Sequence, residues 1–105
     1  MGTRVLLGNH FCLQAEDMSA KEQMKDVLTM LDESMNHAGV TKEQLIRVDI
    51  FAKNYNEEMD QEWTKWVDSE NLPTRFVCPM GEPRFTGVCV EVTAEAFVCW
   101  KANAK

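Results

Sequence analysis

The sequence lacks any long hydrophobic run, and its longest apolar stretches are only a few residues. A transmembrane helix needs about 20 predominantly apolar residues, and a secretory signal needs an apolar core behind a positively charged start. No Lys/Arg run with interleaved aromatics occurs, and 17 acidic residues outnumber 11 basic ones, for a net charge of −6. Such a chain repels phosphate backbones. We therefore expect a cytoplasmic protein that binds neither membranes nor nucleic acid.

Motifs for disulfides and metals are also missing. The four cysteines are Cys12, Cys78, Cys89 and Cys99. None forms a CxxC pair and each lies in or beside an apolar run, which favours free buried thiols in a reducing compartment. The two histidines, His10 and His37, lie far apart without ligand spacing to a cysteine or carboxylate cluster. No metal site is expected.

The chain contains no repeat, low-complexity tract or linker. Its 105 residues suit a single domain spanning 1–105. A domain of this size buries roughly 65% of the surface of its unfolded chain. Its core is therefore modest, and association into an oligomer would help to complete it.

Two helices are predicted. The first begins at a capping box of Ser19 and Glu22 and ends at Gly39. Its apolar residues recur at helical spacing and predict one buried stripe of Met24, Val27, Leu28, Leu31 and Met35. The second is capped by Asn56. Its predicted buried stripe is Met59, Trp63, Trp66 and Val67.

Strands are predicted around these helices. Thr3–Leu7 and His10–Ala15 flank Gly8-Asn9 and predict a first hairpin. Leu45–Lys53 alternates Ile46, Val48, Ile50 and Ala52 on one face with charged residues on the other, as in a half-buried strand. Thr74–Pro79 and Phe85–Thr93 predict a last hairpin, which Ala94–Trp100 would prolong. The order β-β-α-β-α-β-β indicates an α+β fold, a mostly antiparallel sheet with two helices on one face.

The last predicted hairpin contains the candidate chemistry. If Pro79 pairs with Phe85, Arg75 lies opposite Cys89 and diagonal to Glu91, about 7–8 Å away at the backbone. An arginine fork matches a carboxylate bidentately. A buried glutamate with a raised pKa handles protons near neutrality. Spacing alone leaves a plain Arg75–Glu91 ion pair as an open alternative.

These residues carry a resemblance to a known family. Pro73-Thr74-Arg75 followed by Val90-Glu91-Val92 resembles the C-terminal signature of the Rid family, also called YjgF-type or endoribonuclease L-PSP-type proteins. The Gln14 turn, the helix ending at Gly39, the strand at Val48–Phe51 and the Trp63/Trp66 helix follow in matching order.

The resemblance implies a chorismate-mutase-like fold, a homotrimer with ligand clefts between subunits, and no cofactor or metal. The implied activity is hydrolysis of reactive enamines and imines of small amino acids to keto acids and ammonia. Arg75 would hold the substrate carboxylate and Glu91 would position or activate water. Val77 and Cys89 would line the substrate site, together with Leu13 and Gln14 at the first turn.

Some positions depart from the family pattern. Val77 stands where a cysteine is usual, Leu13 where a glycine precedes the glutamine, and Asp60 where a helix asparagine is common. These departures keep a second hypothesis open: a non-catalytic trimeric protein that binds small carboxylates or acts as an interaction module. Ribonuclease activity is disfavoured, because the chain is acidic and no His/Lys pairing suggests RNA cleavage.

Overall fold

A computed structural model describes residues 1–83 and 85–99, and all helices and strands below belong to that part of the chain. The strands are β1 (Gly2–His10), β2 (Leu45–Ala52), β3 (Thr74–Pro79) and β4 (Val90–Cys99). The helices are α1 (Ala20–Ala38) and α2 (Glu57–Trp66), with a 3-10 turn at Lys42–Gln44. The described order is therefore β-α-β-α-β-β, one strand fewer than predicted. Trp100, the predicted end of the last strand, lies outside the described residues.

The four described strands form one sheet in the order β1-β4-β2-β3. β4 pairs antiparallel with both β1 and β2, whereas β2 pairs parallel with β3. The mostly antiparallel sheet that the sequence predicts is confirmed, with one parallel pairing added. That pairing arises because α2 connects β2 to β3 as a crossover, which returns the chain in the same direction.

The predicted first hairpin is wrong, because β1 runs straight through Gly8-Asn9 to His10. The strand pairs with β4 from Gly2 to His10, and its register shifts between Leu7 and His10. Gly8-Asn9 thus forms an irregularity in one strand. The buried His10 ring fixes the strand end, since Nδ1 lies 2.9 Å from the Val92 carbonyl and Nε2 lies 2.7 Å from Ser34 Oγ on α1.

The predicted last hairpin is also wrong. β3 is in register with β2, from Arg47↔Thr74 to Ala52↔Pro79. β4 begins only at Val90, because the segment before it turns at Gly87, where φ is 85°. Phe85 stacks instead on Phe11, with ring centroids 5.4 Å apart. The predicted pairing of Arg75 with Cys89 therefore does not occur.

The predicted start and end of α1 are confirmed. Ser19 accepts from the Glu22 amide at 3.1 Å, and the Glu22 carboxylate accepts from the Ser19 amide at 2.8 Å. Gly39 ends the helix with φ 71°, a left-handed conformation that glycine adopts without a Cβ clash. All five predicted stripe residues are buried. They pack against the sheet and fill the core.

One prediction on β2 fails at its first residue. Val48, Ile50 and Ala52 are buried as expected, but Ile46 is 45% exposed and Leu45 is buried instead. The pairing with β4 shifts register between Leu45 and Arg47. This bulge moves Ile46 out of the alternation that the rest of the strand keeps.

The two faces of the sheet differ. The face under the helices contains Leu7, Val48, Ile50, Val92 and Ala94, all buried. The outer face carries exposed Leu6, Phe76 and Phe97. Its ion pairs join Arg4 to Glu95, and Arg47 to Asp49 at 2.9 Å. The described chain therefore covers only one face of its sheet.

Candidate functional site

Arg75 lies on β3 in register with the buried Val48, on the helix side of the sheet. Its Nη1 donates to Asp60 Oδ1 at 2.6 Å and to the Tyr55 hydroxyl at 3.3 Å. The centre of the guanidinium lies 5.4 Å from the Trp63 ring and 5.9 Å from the Tyr55 ring. Two aromatic rings and one carboxylate therefore fix the arginine, whose side chain is 33% exposed.

Helix α2 brings Asp60 and Tyr55 to this arginine. Asn56 caps the helix by accepting from the Met59 amide at 2.9 Å. Met59 and Trp63 turn into the core, which fixes the rotation of the helix about its axis. Tyr55 directly precedes the cap and Asp60 lies in the first turn, so both reach the β3 edge of the sheet.

A hydrogen-bond network joins these three polar side chains. The Tyr55 hydroxyl donates to Asp60 Oδ1 at 3.0 Å while it accepts from Arg75. The bond from Arg75 lowers the pKa of Asp60, and the bond from Tyr55 adds to this. Burial, together with the Asp60 bond, raises the pKa of Tyr55 well above its usual value. Asp60 is therefore ionised and Tyr55 neutral at pH 7.

Glu91 lies on the opposite face of the sheet from Arg75. It is in register with Phe51, one position out of phase with the buried Ile50 and Ala52. The half-buried carboxylate lines a cleft of about 330 Å³ on the outer face. The other lining residues are Asn9, Phe51, Met80, Gly81, Glu82 and Thr93.

Leu13 and Gln14 line a third region, in the turn between β1 and α1. Both are exposed, and they border a cleft of about 430 Å³ with Glu16, Asp17, Phe85 and Thr86. Leu13 is 69% exposed, so it stands at the cleft wall without closing it. This cleft and the Glu91 cleft share no lining residue.

Gln23 ties the segment before Glu91 to α1. Its Nε2 donates to the Gly87 carbonyl at 2.9 Å, and its Oε1 accepts from the Cys89 amide at 3.0 Å. Nε2 also reaches the carbonyls of Met18 and Ala15, at 3.3 and 3.4 Å. The fully buried amide thus holds two loops together. Burial raises the pKa of the half-buried Cys89 thiol, which limits its reactivity.

Within one subunit, the predicted site residues lie in separate places. Arg75 and Val77 stand at the helix-side edge, Glu91 in the outer-face cleft, and Leu13 with Gln14 in the first turn. The sequence pattern did not predict a role for Tyr55 or the bond from Arg75 to Asp60, and it placed Trp63 only in the buried stripe of the second helix. One feature of the sequence could have pointed to this pair. Tyr55 directly precedes the N-cap Asn56, and Asp60 is the fourth residue of the helix. An apolar pair often packs together at these two positions, so a polar pair there is unusual.

The described residues hold no cluster of metal ligands. Over 1–83 and 85–99, no three His, Cys, Asp or Glu side chains gather in a way that could hold a metal ion. No helix in that part of the chain is long and apolar enough to cross a membrane.

A known family matches most of this chain. A family model described as endoribonuclease L-PSP matches residues 12–98. A RutC family protein of Haemophilus influenzae is 30% identical over 61 residues, or 56% of this chain and 53% of the relative. The match thus spans about half the length of that curated relative.

Solved structures show the same fold. A YjgF family member from Neisseria meningitidis has a TM-score of 0.79 at 24% identity, covering 94% of this chain and 82% of that chain. A member of the YjgF/YER057c/UK114 family from Mycobacterium tuberculosis has a TM-score of 0.79 at 18% identity, covering 93% and 81%. These likenesses confirm the α+β fold that the sequence pattern predicts and the chorismate-mutase-like form that the family resemblance implies.

Proposed function

This chain belongs to the endoribonuclease L-PSP family, the YjgF-type or Rid family, and from that membership we propose that it hydrolyses reactive imines and enamines of small amino acids. The observation that carries the proposal is the arginine fork of Arg75, fixed by Asp60 and two aromatic rings. A fixed fork suits the carboxylate of an amino-acid-derived substrate. We place this activity in the cytoplasm, with no metal or cofactor.

The chemistry requires a base and a carboxylate anchor. Water adds to the C=N carbon of the protonated imine while Glu91 takes one of its protons, giving a carbinolamine. Glu91 returns that proton to nitrogen, and the C–N bond breaks as the hydroxyl oxygen becomes the carbonyl. The hydroxyl proton passes through Glu91 to the departing ammonia, so the balance is protonated imine plus water to keto acid plus ammonium. Arg75 holds the carboxylate throughout, and backbone groups near Val77 supply further hydrogen bonds.

A single subunit does not hold this site complete, because Arg75 and Glu91 face opposite sides of the sheet. We therefore propose a homotrimer in which Arg75 of one subunit meets the Glu91 cleft of another. Exposed Leu6, Phe76 and Phe97 on the outer face support such an assembly, since large apolar side chains on an uncovered face favour association.

The test is an imine hydrolysis assay. A threonine dehydratase generates 2-iminobutyrate in situ, and purified protein is compared with the Glu91→Gln variant. We expect accelerated formation of 2-oxobutyrate that the variant loses. Acceleration that survives in Glu91→Gln would remove Glu91 from the chemistry, and no acceleration by the native protein would contradict the activity on this imine.

A second candidate function is non-catalytic binding of a small carboxylate. One observation favours it: within one subunit Arg75 and Glu91 lie on opposite faces of the sheet, so the carboxylate anchor stands there without the proposed base beside it. Thermal unfolding with and without 2-oxobutyrate separates the two functions. Stabilisation by the keto acid without imine turnover would favour binding alone, whereas an absence of both would leave an interaction module.

A further inference from the structure

Arg75 and Asp60 together present two opposite charges at one surface site. Both hydrogen bonds that the guanidinium donates within the described residues leave from Nη1, so Nη2 and Nε remain available to a ligand. Both bonds that Asp60 accepts with its side chain there end on Oδ1, so Oδ2 remains available as an acceptor. The Asp60 side chain is 45% exposed, and a small molecule can reach it.

This pairing changes which ligands the arginine favours. A ligand with only a carboxylate gains the Arg75 bond but meets the Asp60 charge beside it, and like charges repel. A ligand that carries a protonated nitrogen one carbon from its carboxylate places that nitrogen against the aspartate. Its two charges then match the two charges of the site.

We propose that Asp60 is a specificity-determining residue that makes the Arg75 site select α-amino-acid-shaped zwitterions over simple carboxylates. The ligand carboxylate binds Nη2 and Nε of Arg75, and the ligand N–H groups donate to Oδ2 of Asp60. Tyr55 positions the pair, because its hydroxyl bonds to both members.

The inference rests on the proposed function for the identity of the natural ligand. A protonated α-imino acid has the zwitterionic shape, whereas the α-keto acid that hydrolysis produces has lost the nitrogen. The site therefore holds substrate more tightly than product, and hydrolysis itself weakens binding. A loss of affinity on reaction promotes product release.

The test compares two stable probes of matched size by calorimetric titration. L-2-Aminobutyrate carries both charges, and 2-oxobutyrate carries only the carboxylate. We expect the native protein to bind the amino acid at least about tenfold more tightly, the effect of one hydrogen bond to a charged group. Equal affinities, tighter binding of the keto acid, or no binding of either probe would overturn the inference.

Substitution then assigns the selectivity to Asp60. Asp60→Asn should bring the two affinities together or reverse their order, because the amide no longer attracts a cation or repels the keto acid. Glu58→Gln is the matched control: it removes the same charge from the same helical turn, and it should keep the native selectivity. Retained selectivity in Asp60→Asn, or its loss in Glu58→Gln, would contradict the assignment.

Two results separate this inference from the proposed function. Selectivity for the amino acid without imine turnover would support the recognition site and contradict the proposed enzymatic activity. Imine turnover with equal affinities for the two probes would support the enzymatic activity and contradict the selectivity of the site. Because the native protein alone provides the first comparison, the inference remains falsifiable even if Asp60→Asn does not fold.

Discussion

Arg75 and Glu91 point to opposite faces of one sheet: Arg75 is in register with buried Val48, and Glu91 with Phe51 on the outer face. Neighbouring positions along a strand alternate between faces. No rotamer change within one subunit can bring the two side chains across the sheet. Any reaction that needs both of them requires surfaces from two subunits.

Mixed oligomers test this requirement. Arg75→Ala and Glu91→Gln should each abolish imine hydrolysis, but the two variants refolded together should regain activity. With random assortment of subunits in a ring, about a quarter of the sites pair an intact Arg75 with an intact Glu91 of a neighbour. Each variant refolded alone is the control. Mixtures as inactive as the single variants would contradict a site that combines Arg75 of one subunit with Glu91 of another.

The Asp60 carboxylate should make the free energy of unfolding depend on pH in the acidic range. Its pKa is lowered below the ordinary 3.8 by the Arg75 bond, so the folded state favours the carboxylate. The stabilisation is complete above the unfolded pKa and is lost as pH falls through the lowered folded value. Asp60→Asn should cost less than about 1 kcal/mol at pH 7, because the pair is partly exposed and screened.

Urea unfolding of the native protein and of Asp60→Asn, at pH 7 and at acidic pH, measures the free energy of unfolding of each. The difference between native protein and Asp60→Asn should shrink as pH drops below 3.8. Tyr55→Phe, which keeps the charge pair, should retain most of the acid dependence. A difference that stays constant with pH would show that the Asp60–Arg75 bond is not its source.

Gln23 should be costly to replace. Gln23→Met keeps similar size but leaves the Gly87 carbonyl and the Cys89 amide without their partner. Gly87 is exposed, so water can replace the partner of its carbonyl, whereas the Cys89 amide is half-buried. An unsatisfied buried polar group costs about 1–3 kcal/mol, and we expect a loss in that range in the free energy of unfolding.

Chemical denaturation gives the loss, and hydrogen exchange at the Cys89 amide reports on the loop itself. Exposed Gln61 on α2 provides the control, because Gln61→Met should change stability by less than about 0.5 kcal/mol. Native exchange protection of Cys89 in Gln23→Met would contradict the role of the glutamine as a clamp.

Gly87 should not tolerate a side chain. Its φ is 85°, and a Cβ there would lie 2.8 Å from the Glu16 Cα. Left-handed backbone alone costs an L-residue roughly 1–2 kcal/mol, and the contact with backbone atoms adds to this. We expect Gly87→Ala to lower the free energy of unfolding by about 2 kcal/mol or more.

Gly81→Ala is the matched control, since a Cβ at Gly81 would meet nothing within 4 Å. Thermal unfolding of both variants measures the contrast. Equal midpoints for the two alanine variants would show that the loop at Gly87 relaxes away from the β1–α1 turn at little cost.

Local signals predicted the local structure well. The Ser19/Glu22 box and Gly39 fix α1, and Asn56 fixes the start of α2, because caps act within one turn of the chain. The alternation at Val48, Ile50 and Ala52 likewise identifies the buried face of β2. Each of these features depends on neighbours a few residues away.

Strand partners were harder to predict. The pattern of Thr74–Pro79 predicts a strand, but it does not show that this strand pairs with β2, which precedes it by a whole helix. The Gly8-Asn9 pair favours a turn in isolation, whereas pairing with β4 keeps β1 extended through it. The family motif identified Arg75 and Glu91 as candidates, but their opposite orientation follows from the register alone. Tyr55–Asp60–Arg75 depends on how α2 is rotated over β3, which the motif does not specify.

The strand order β1-β4-β2-β3 also affects how the chain folds during synthesis. β1 emerges from the ribosome before the other described strands, but its partner in the sheet is the last of them, which begins only at Val90. Pairing between such distant segments is slow, because the entropy cost of closing the long loop comes before the contacts that offset it. Until β4 emerges, the apolar face of β1, including Leu7, has no sheet to join, and the nascent chain is exposed to aggregation over that interval.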